Sequence, residues 1–158
     1  MQIIEGFSRA SDIRMLFEEY TATLIAADPR FRDYLAQQNY THELEDLGEK
    51  YSPPMGRLYL ALCDGAPVGC IALRPMSQDS AELKRLFVRP AYRKKGIAHA
   101  LIRHILSDAG QIGYRRIFLD TLPFLTDALS LYHSFGFREI APYNDNPMGN
   151  SIYMQYDL

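Results

Sequence analysis

Residues 57–75, RLYLALCDGAPVGCIALRP, constrain the fold more than any other stretch of this chain. Two apolar runs of strand length flank Asp64-Gly65, a dipeptide strongly favoured in the tight turn of a β-hairpin. A third run, AELKRLFV at 81–88, is rich in large apolar residues, and Pro90 stops it. Upstream, QIIEGF reads as a short first strand, after which Ser8 or Ser11 can cap a helix. From Ile13 the apolar positions Leu16, Phe17, Tyr20 and Leu24 recur at three and four residues, an amphipathic helix that ends near Asp28-Pro29. RFRDYLAQQN is a second helix, and GEKYSPPMG, with two prolines and two glycines, is loop. Beyond Pro90, Ile97, Leu101, Ile102 and Ile105 mark a helix that fades at Gly110. RRIFLDT is a short buried strand, LTDALSLYHSF a helix stopped by Gly136, and SIYMQYDL an alternating terminal strand. The predicted order, β-α-α-β-β-β-α-β-α-β-β, packs as one mixed sheet with helices on its faces, an α/β (α+β) arrangement.

A chain of 158 residues is the usual size of one domain, and 47% hydrophobic residues suffice for one sizeable core, so a single domain over 1–158 is expected. Lys and Arg number 17 against 19 Asp and Glu, a formal charge of -2. That balance argues against nucleic acid or an anionic membrane as a partner over a broad surface, and any anion site must be local. No apolar run approaches the roughly 20 residues that span a bilayer, and the start, MQIIEGFSRASDIRMLF, lacks the basic and apolar regions of a signal peptide. A cytoplasmic location is the expectation. Cys63 and Cys70 lie in apolar stretches at a spacing that matches no metal or redox motif; they read as core thiols, and no metal site is expected.

Against that even charge, Arg93, Lys94 and Lys95 crowd one turn, followed by Gly96, Ile97 and Ala98 at a strand-to-helix junction. The amides of a first helical turn point outward together, with the positive end of the helix dipole behind them, which makes an anion cradle. Gly96 keeps a side chain out of the space between ligand and backbone, and Ala98 lets the helix approach closely. The cations add charge where a phosphate would rest. The pattern is neither a P-loop nor a three-glycine dinucleotide motif, and by spacing alone it reads equally as a solvated basic turn.

Two blocks together carry a resemblance. LFVRPAYRKKGIAHALI resembles the acyl-CoA-binding segment of the GNAT superfamily of N-acetyltransferases, with its Arg/Gln-x-x-Gly-x-Gly/Ala pattern after a strand and a short loop. DALSLYHSFGF is similar to that family's later helix, where an Ala, here Ala128, is followed four residues on by Tyr132 and then by a Gly-Phe pair. The likeness covers about residues 57 to 140, and a closer one, to a bacterial branch, extends through YSPPMGRLYLA, ELKRLFVRP and PYNDNP. The resemblance implies a mixed, mostly antiparallel central sheet flanked by helices, with splayed central strands, ending at Val88 and Thr121, that form the acyl-CoA cleft. It implies acetyl-CoA as acyl donor. The backbone of Leu86, Phe87 and Val88 would meet the pantetheine arm as a neighbouring strand does, one N–H polarising the thioester carbonyl. The pyrophosphate would lie on the amides of Arg93, Lys94, Lys95, Gly96, Ile97 and Ala98. Many relatives carry an asparagine three residues before the Ala; Leu125 stands there instead, so that contact passes to Thr121 or Thr126 or is absent.

Acyl transfer to an amine requires the amine to lose a proton, the oxyanion to be stabilised and the departing thiolate to gain a proton. Tyr132 matches the family's tyrosine, a general acid for the CoA sulfur; a phenol with a reference pKa of about 10 holds its proton at neutral pH. Glu82 lies six residues before Val88, which strand alternation places on the face of Leu86 and Val88. Some family members use a glutamate there as base, directly or through a water; Glu82 also reads as a strand-end carboxylate paired with Lys84 or Arg85, and Asp120 is a substitute. His42, His99, His104 and His133 read as ordinary helix or surface residues. The acceptor is expected against residues 28–55 and the loop APYNDNPMGN, where Arg30, Arg32, Tyr34, Tyr51, Tyr143 and Asn144 suit a small polar molecule with a carboxylate. The expected activity is N-acetyl transfer from acetyl-CoA to a primary amine of a small molecule, by direct attack in a ternary complex; a non-catalytic acyl-CoA sensor is the alternative. Dimers are common in the family, and the exposed edge read for SIYMQYDL could pair with a second copy as a homodimer; a monomer is the alternative.

Overall fold

The computed structural model describes residues 1–158. Its elements are β1 (Gln2–Glu5), α1 (Ala10–Ala27), α2 (Phe31–Gln37), α3 (Tyr40–Glu45), α4 (Leu47–Tyr51), β2 (Arg57–Cys63), β3 (Ala66–Pro75), β4 (Ser80–Val88), α5 (Ile97–Ile112), β5 (Arg116–Thr121), α6 (Thr126–Phe135), β6 (Arg138–Ile140) and β7 (Ile152–Asp157). All seven strands join one sheet in the order β1-β2-β3-β4-β5-β7-β6. Every pair is antiparallel except β4 beside β5. Asp64 and Gly65 turn the β2–β3 hairpin with φ of 51° and 80°, the left-handed pair that such a turn demands. No helix is long and apolar enough to cross a membrane.

The sheet divides two apolar layers. On one face Ile97, Leu101, Ile102 and Ile105 of α5 pack against Ile71, Leu73, Leu83 and Ile117. On the other, Ile13, Leu16 and Phe17 of α1 and Leu47 and Tyr51 of α4 meet Leu58, Leu60, Cys70 and Phe87. Ile13, Leu16 and Phe17 are fully buried, each contributing roughly 1.5–3 kcal/mol. Cys63 and Cys70 are free thiols, the second fully buried.

Two expectations fail here. The stretch read as loop at 48–56 begins inside a helix, α4, and a further short helix, α3, precedes it. Neither has strong intrinsic propensity; α4 forms because Asp46 caps the amide of Glu49 and because Leu47 and Tyr51 are buried against the sheet. The terminal strand is not an edge: β7 pairs with β5 on one side and with β6 on the other, which removes the interface expected for a second copy through that strand.

A third departure shapes the site. Cys70 pairs with Phe87 and Ala72 with Lys84, so Ile71 on β3 faces two residues, Arg85 and Leu86, on β4. Arg85 is the extra residue of a β-bulge and takes φ of 60°. The bulge resets the alternation. Leu83, Leu86 and Val88 pack on the α5 face, whereas Glu82, Lys84, Arg85 and Phe87 turn toward α1–α4. Glu82 therefore lies on the face opposite the side chains of Leu86 and Val88, not beside them.

Candidate active site

β4 and β5 pair only through Ser80–Glu82 against Arg116–Phe118, and then part. From Leu83 onward that edge of β4 has no strand neighbour, and its backbone groups border a cleft of about 480 Å³. The bulge at Arg85 bends β4 at the point where the gap opens. Leu86, Phe87, Val88 and Thr121 line the cleft walls, together with the start of α5 and residues of α6. The Phe87 ring lies 5.7 Å from that of Tyr20, which also lines the cleft, and the Arg93 guanidinium stands 5.8 Å over it.

The junction before α5 is built for exposed amides. Lys94 and Gly96 have φ of 60° and 83°, and no side chain caps the helix. Gly96 is required first by that backbone: a Cβ there would meet nothing within 4 Å, yet any L side chain is strained at its φ. Arg93, Lys94, Gly96, Ile97 and Ala98 line the cleft, while Lys95 turns away, its ammonium 5.5 Å over the Tyr92 ring. Arg93 folds back to donate from Nε to the carbonyl of Val88 at 2.8 Å, which anchors the junction to the strand end.

Tyr132, on α6, is 6% exposed and lines the same cleft, 5.6 Å from the ring of Phe137. Its hydroxyl has no partner within the protein, and burial pushes its pKa well up, so the phenol stays protonated. Leu125 precedes α6 and lines the cleft with Thr121 and Thr126, an apolar contact where relatives were expected to carry asparagine.

Glu82 is 1% exposed. It accepts from Arg74 Nε at 2.8 Å and from the Tyr143 hydroxyl, with Lys84 Nζ at 3.7 Å. Burial raises its pKa, but Lys84, Arg74 and Tyr143 outweigh that and hold it below the ordinary carboxylate value. Asp120 accepts from the Tyr34 hydroxyl. Asn144 then links Tyr34, at 3.3 Å, to Tyr153, at 2.6 Å. Of the residues expected around the acceptor, Tyr34, Tyr143 and Asn144 converge here. Arg30 instead pairs with Asp28 at 2.6 Å, and Tyr51 is fully buried in the α1–α4 layer.

Of the two partners read for this carboxylate, Lys84 stands beside it at 3.7 Å while Arg85 pairs with Glu43; sequence reading missed Arg74 and Gln38 as its neighbours. The available signal was Glu82-x-Lys84-Arg85 inside an otherwise apolar strand, three ionisable groups that must find buried partners. Among the histidines, only His99 lines the cleft, stacked 4.7 Å from Phe135; His104 lies 4.3 Å from the ring of Tyr59. His42, Asp46 and Glu49 bring ligand-type atoms within 4.8 Å of one another on the exposed side of α3 and α4, where His42 pairs with Glu49 and Asp46 caps the helix.

The acetyltransferase (GNAT) family matches residues 13–137. An uncharacterized N-acetyltransferase of Schizosaccharomyces pombe is 36% identical over 149 residues, covering 93% of this chain and 87% of the relative. A GNAT-family acetyltransferase from Staphylococcus aureus superposes with a TM-score of 0.77 at 22% identity, over 99% and 98% of the two chains. The PaiA N-acetyltransferase of Thermoplasma acidophilum, solved in complex with coenzyme A, superposes with a TM-score of 0.75 at 19% identity, over 100% of both. The two structures share the mixed, mostly antiparallel sheet flanked by helices. The chain belongs to the GNAT family, and it is an acyl-CoA-dependent acetyltransferase.

Proposed function

We propose that residues 1–158 act as one N-acetyltransferase domain that moves the acetyl group of acetyl-CoA to the primary amine of a small molecule, by direct attack while both are bound. The observation that carries this reading is the parting of β4 from β5 after three paired residues, which leaves a strand edge unpaired beside an uncapped helix start. The free backbone of Leu86 and Val88 suits an amide-bearing arm, and the amides of residues 94–98 suit a pyrophosphate. The Thermoplasma relative binds coenzyme A on the same fold.

When bound, the donor supplies an acyl carbon activated by its thioester. Around it this chain has three tasks. An N–H of β4 polarises the carbonyl. Glu82, ionised at neutral pH, attracts the acceptor ammonium and takes up its proton through a water, so that the nitrogen lone pair is free. A carbon–nitrogen bond then forms as the carbon–sulfur bond breaks, and the Tyr132 hydroxyl gives its proton to the departing sulfur. The new amide nitrogen sheds its second proton to water, Glu82 releases to solvent the one it took, and Tyr132 recovers one from solvent.

A thermal-shift titration with acetyl-CoA, CoA, ATP and NAD tests the donor. A ligand at about 100 times its Kd adds roughly 2.7 kcal/mol to the folded state, and each kcal/mol is worth about 2–4 °C for a chain near this length. Acetyl-CoA and CoA should raise Tm by several degrees and the nucleotides should not. A shift with ATP or NAD alone, or with none, refutes the reading.

A further inference from the structure

Beside the cleft lies a second, polar pocket of about 240 Å³, which shares Tyr34, Gln38 and Lys84 with it. Its other walls include Lys50, Arg74, Glu82 and Asn144. The hydrogen bonds within this pocket leave donors in excess. Gln38 Oε1 accepts from Lys84 Nζ at 2.7 Å and from Arg85 at 3.0 Å, which fixes the orientation of the amide, because neither cation can accept. Its Nε2 is thereby turned away, buried and without a partner. Arg74 spends only Nε on Glu82, and its two terminal nitrogens make no hydrogen bond. Lys84 is 7% exposed and bonds a neutral amide at 2.7 Å, with Glu82 farther off at 3.7 Å.

The charges point the same way. Three cations and a single carboxylate face the pocket. Arg85, behind it, is matched by Glu43 at 2.9 Å, and Asp120 is occupied by Tyr34 on the cleft side. The one carboxylate on the wall has both oxygens engaged, by Arg74 and Tyr143. A buried amide donor without an acceptor, open guanidinium nitrogens on the half-exposed Arg74 and surplus positive charge are together completed by an anion, and the forked end of a guanidinium matches the planar oxygens of a carboxylate.

We infer that this pocket is the acceptor subsite and that the acceptor is an amine carrying a carboxylate a few bonds from its nitrogen, an amino-acid-like zwitterion. The inference rests on the transfer reading above. Arg74, Gln38 and Lys84 receive the carboxylate, and Glu82, on the pocket wall, receives the ammonium through the lone pairs left beyond its bonds to Arg74 and Tyr143. Opposite charges of the ligand thus meet opposite charges of the protein, which selects against amines that lack the acid.

The test uses matched pairs: α-amino acids, β-alanine and 4-aminobutyrate, each beside its carboxamide, with an aminoalkyl phosphate as a third arm. Thiol release with saturating acetyl-CoA should show at least one acid preferred over its amide by about tenfold or more in kcat/KM, mainly through KM. In R74K, which keeps a cation beside Glu82 but loses the fork, that ratio should collapse toward one. Calorimetry on protein saturated with coenzyme A reads binding of the same pairs independently of turnover. Binding that requires the carboxylate sustains the subsite even if no thiol is released, in which case the transfer reading alone fails. Amides that bind and react as well as their acids, or a phosphate preferred over every carboxylate, overturn it.

Discussion

The Tyr132 side chain is almost wholly buried, its hydroxyl makes no hydrogen bond within the folded chain, and burial keeps the phenol protonated. A group held in that state beside a cleft contributes little to folding, so removing it separates chemistry from stability. Y132F should lower kcat by about 100-fold or more, the usual scale of a lost general acid, while changing stability by no more than about 0.5 kcal/mol. Thiol release at saturating substrates, together with urea unfolding, checks both halves. Undiminished kcat would remove Tyr132 from the proton path. This residue was legible in the sequence because its motif is local, set by one helix and the turn that ends it. The environment of Glu82 was not. Its partners Arg74 and Tyr143 come from separate elements, and its face depends on one inserted residue three positions away.

At the scale of elements, the start of α5 is the junction that the proposed function assigns to the donor's pyrophosphate. Gly96 has φ of 83° with open space around its missing Cβ, whereas Gly110, in the same helix, also has open space but ordinary φ. G96A should therefore destabilise by about 1 kcal/mol or more and weaken coenzyme A binding by about tenfold, because strain reorients the amides. G110A should be neutral or stabilising by up to about 1 kcal/mol. Melting curves and calorimetry on the pair decide it; equal behaviour of the two variants refutes the conformational argument. Helices α1, α5 and α6 and the β2–β3 hairpin could be read ahead because apolar spacing and turn residues specify them locally. Helices α3 and α4 could not, since Glu43 finds Arg85 and Tyr51 finds Phe17 only once the layer has assembled. The β4 bulge is invisible for the same reason: nothing near Arg85 in the chain announces a left-handed residue in a strand.

For the whole molecule, the α1–α4 layer is tied to the sheet by more than apolar contact. Glu43 of α3, 1% exposed, binds Arg85 of β4 at 2.9 Å and Lys50 of α4 at 2.8 Å. Burial alone would raise the Glu43 pKa, but Arg85 and then Lys50 override it and bring it to about 2, against an ordinary value of 4.5. The unfolded chain therefore takes up this proton first as pH falls. Stability from the network is complete above about pH 4.5 and drains away toward pH 2, a loss on the order of 3 kcal/mol. Glu82, also lowered, adds to the same acid limb. E43Q strands Arg85 without its charge partner and should cost about 3–5 kcal/mol at neutral pH. It should also flatten the acid limb, because a glutamine has no proton to take up, leaving the part that Glu82 contributes. Urea unfolding followed by circular dichroism from pH 7 down to pH 2 measures both. An E43Q protein whose stability falls as steeply with acid as the wild type would show that the seam between helices and sheet is held by packing, and that the buried ion network is a passenger in it.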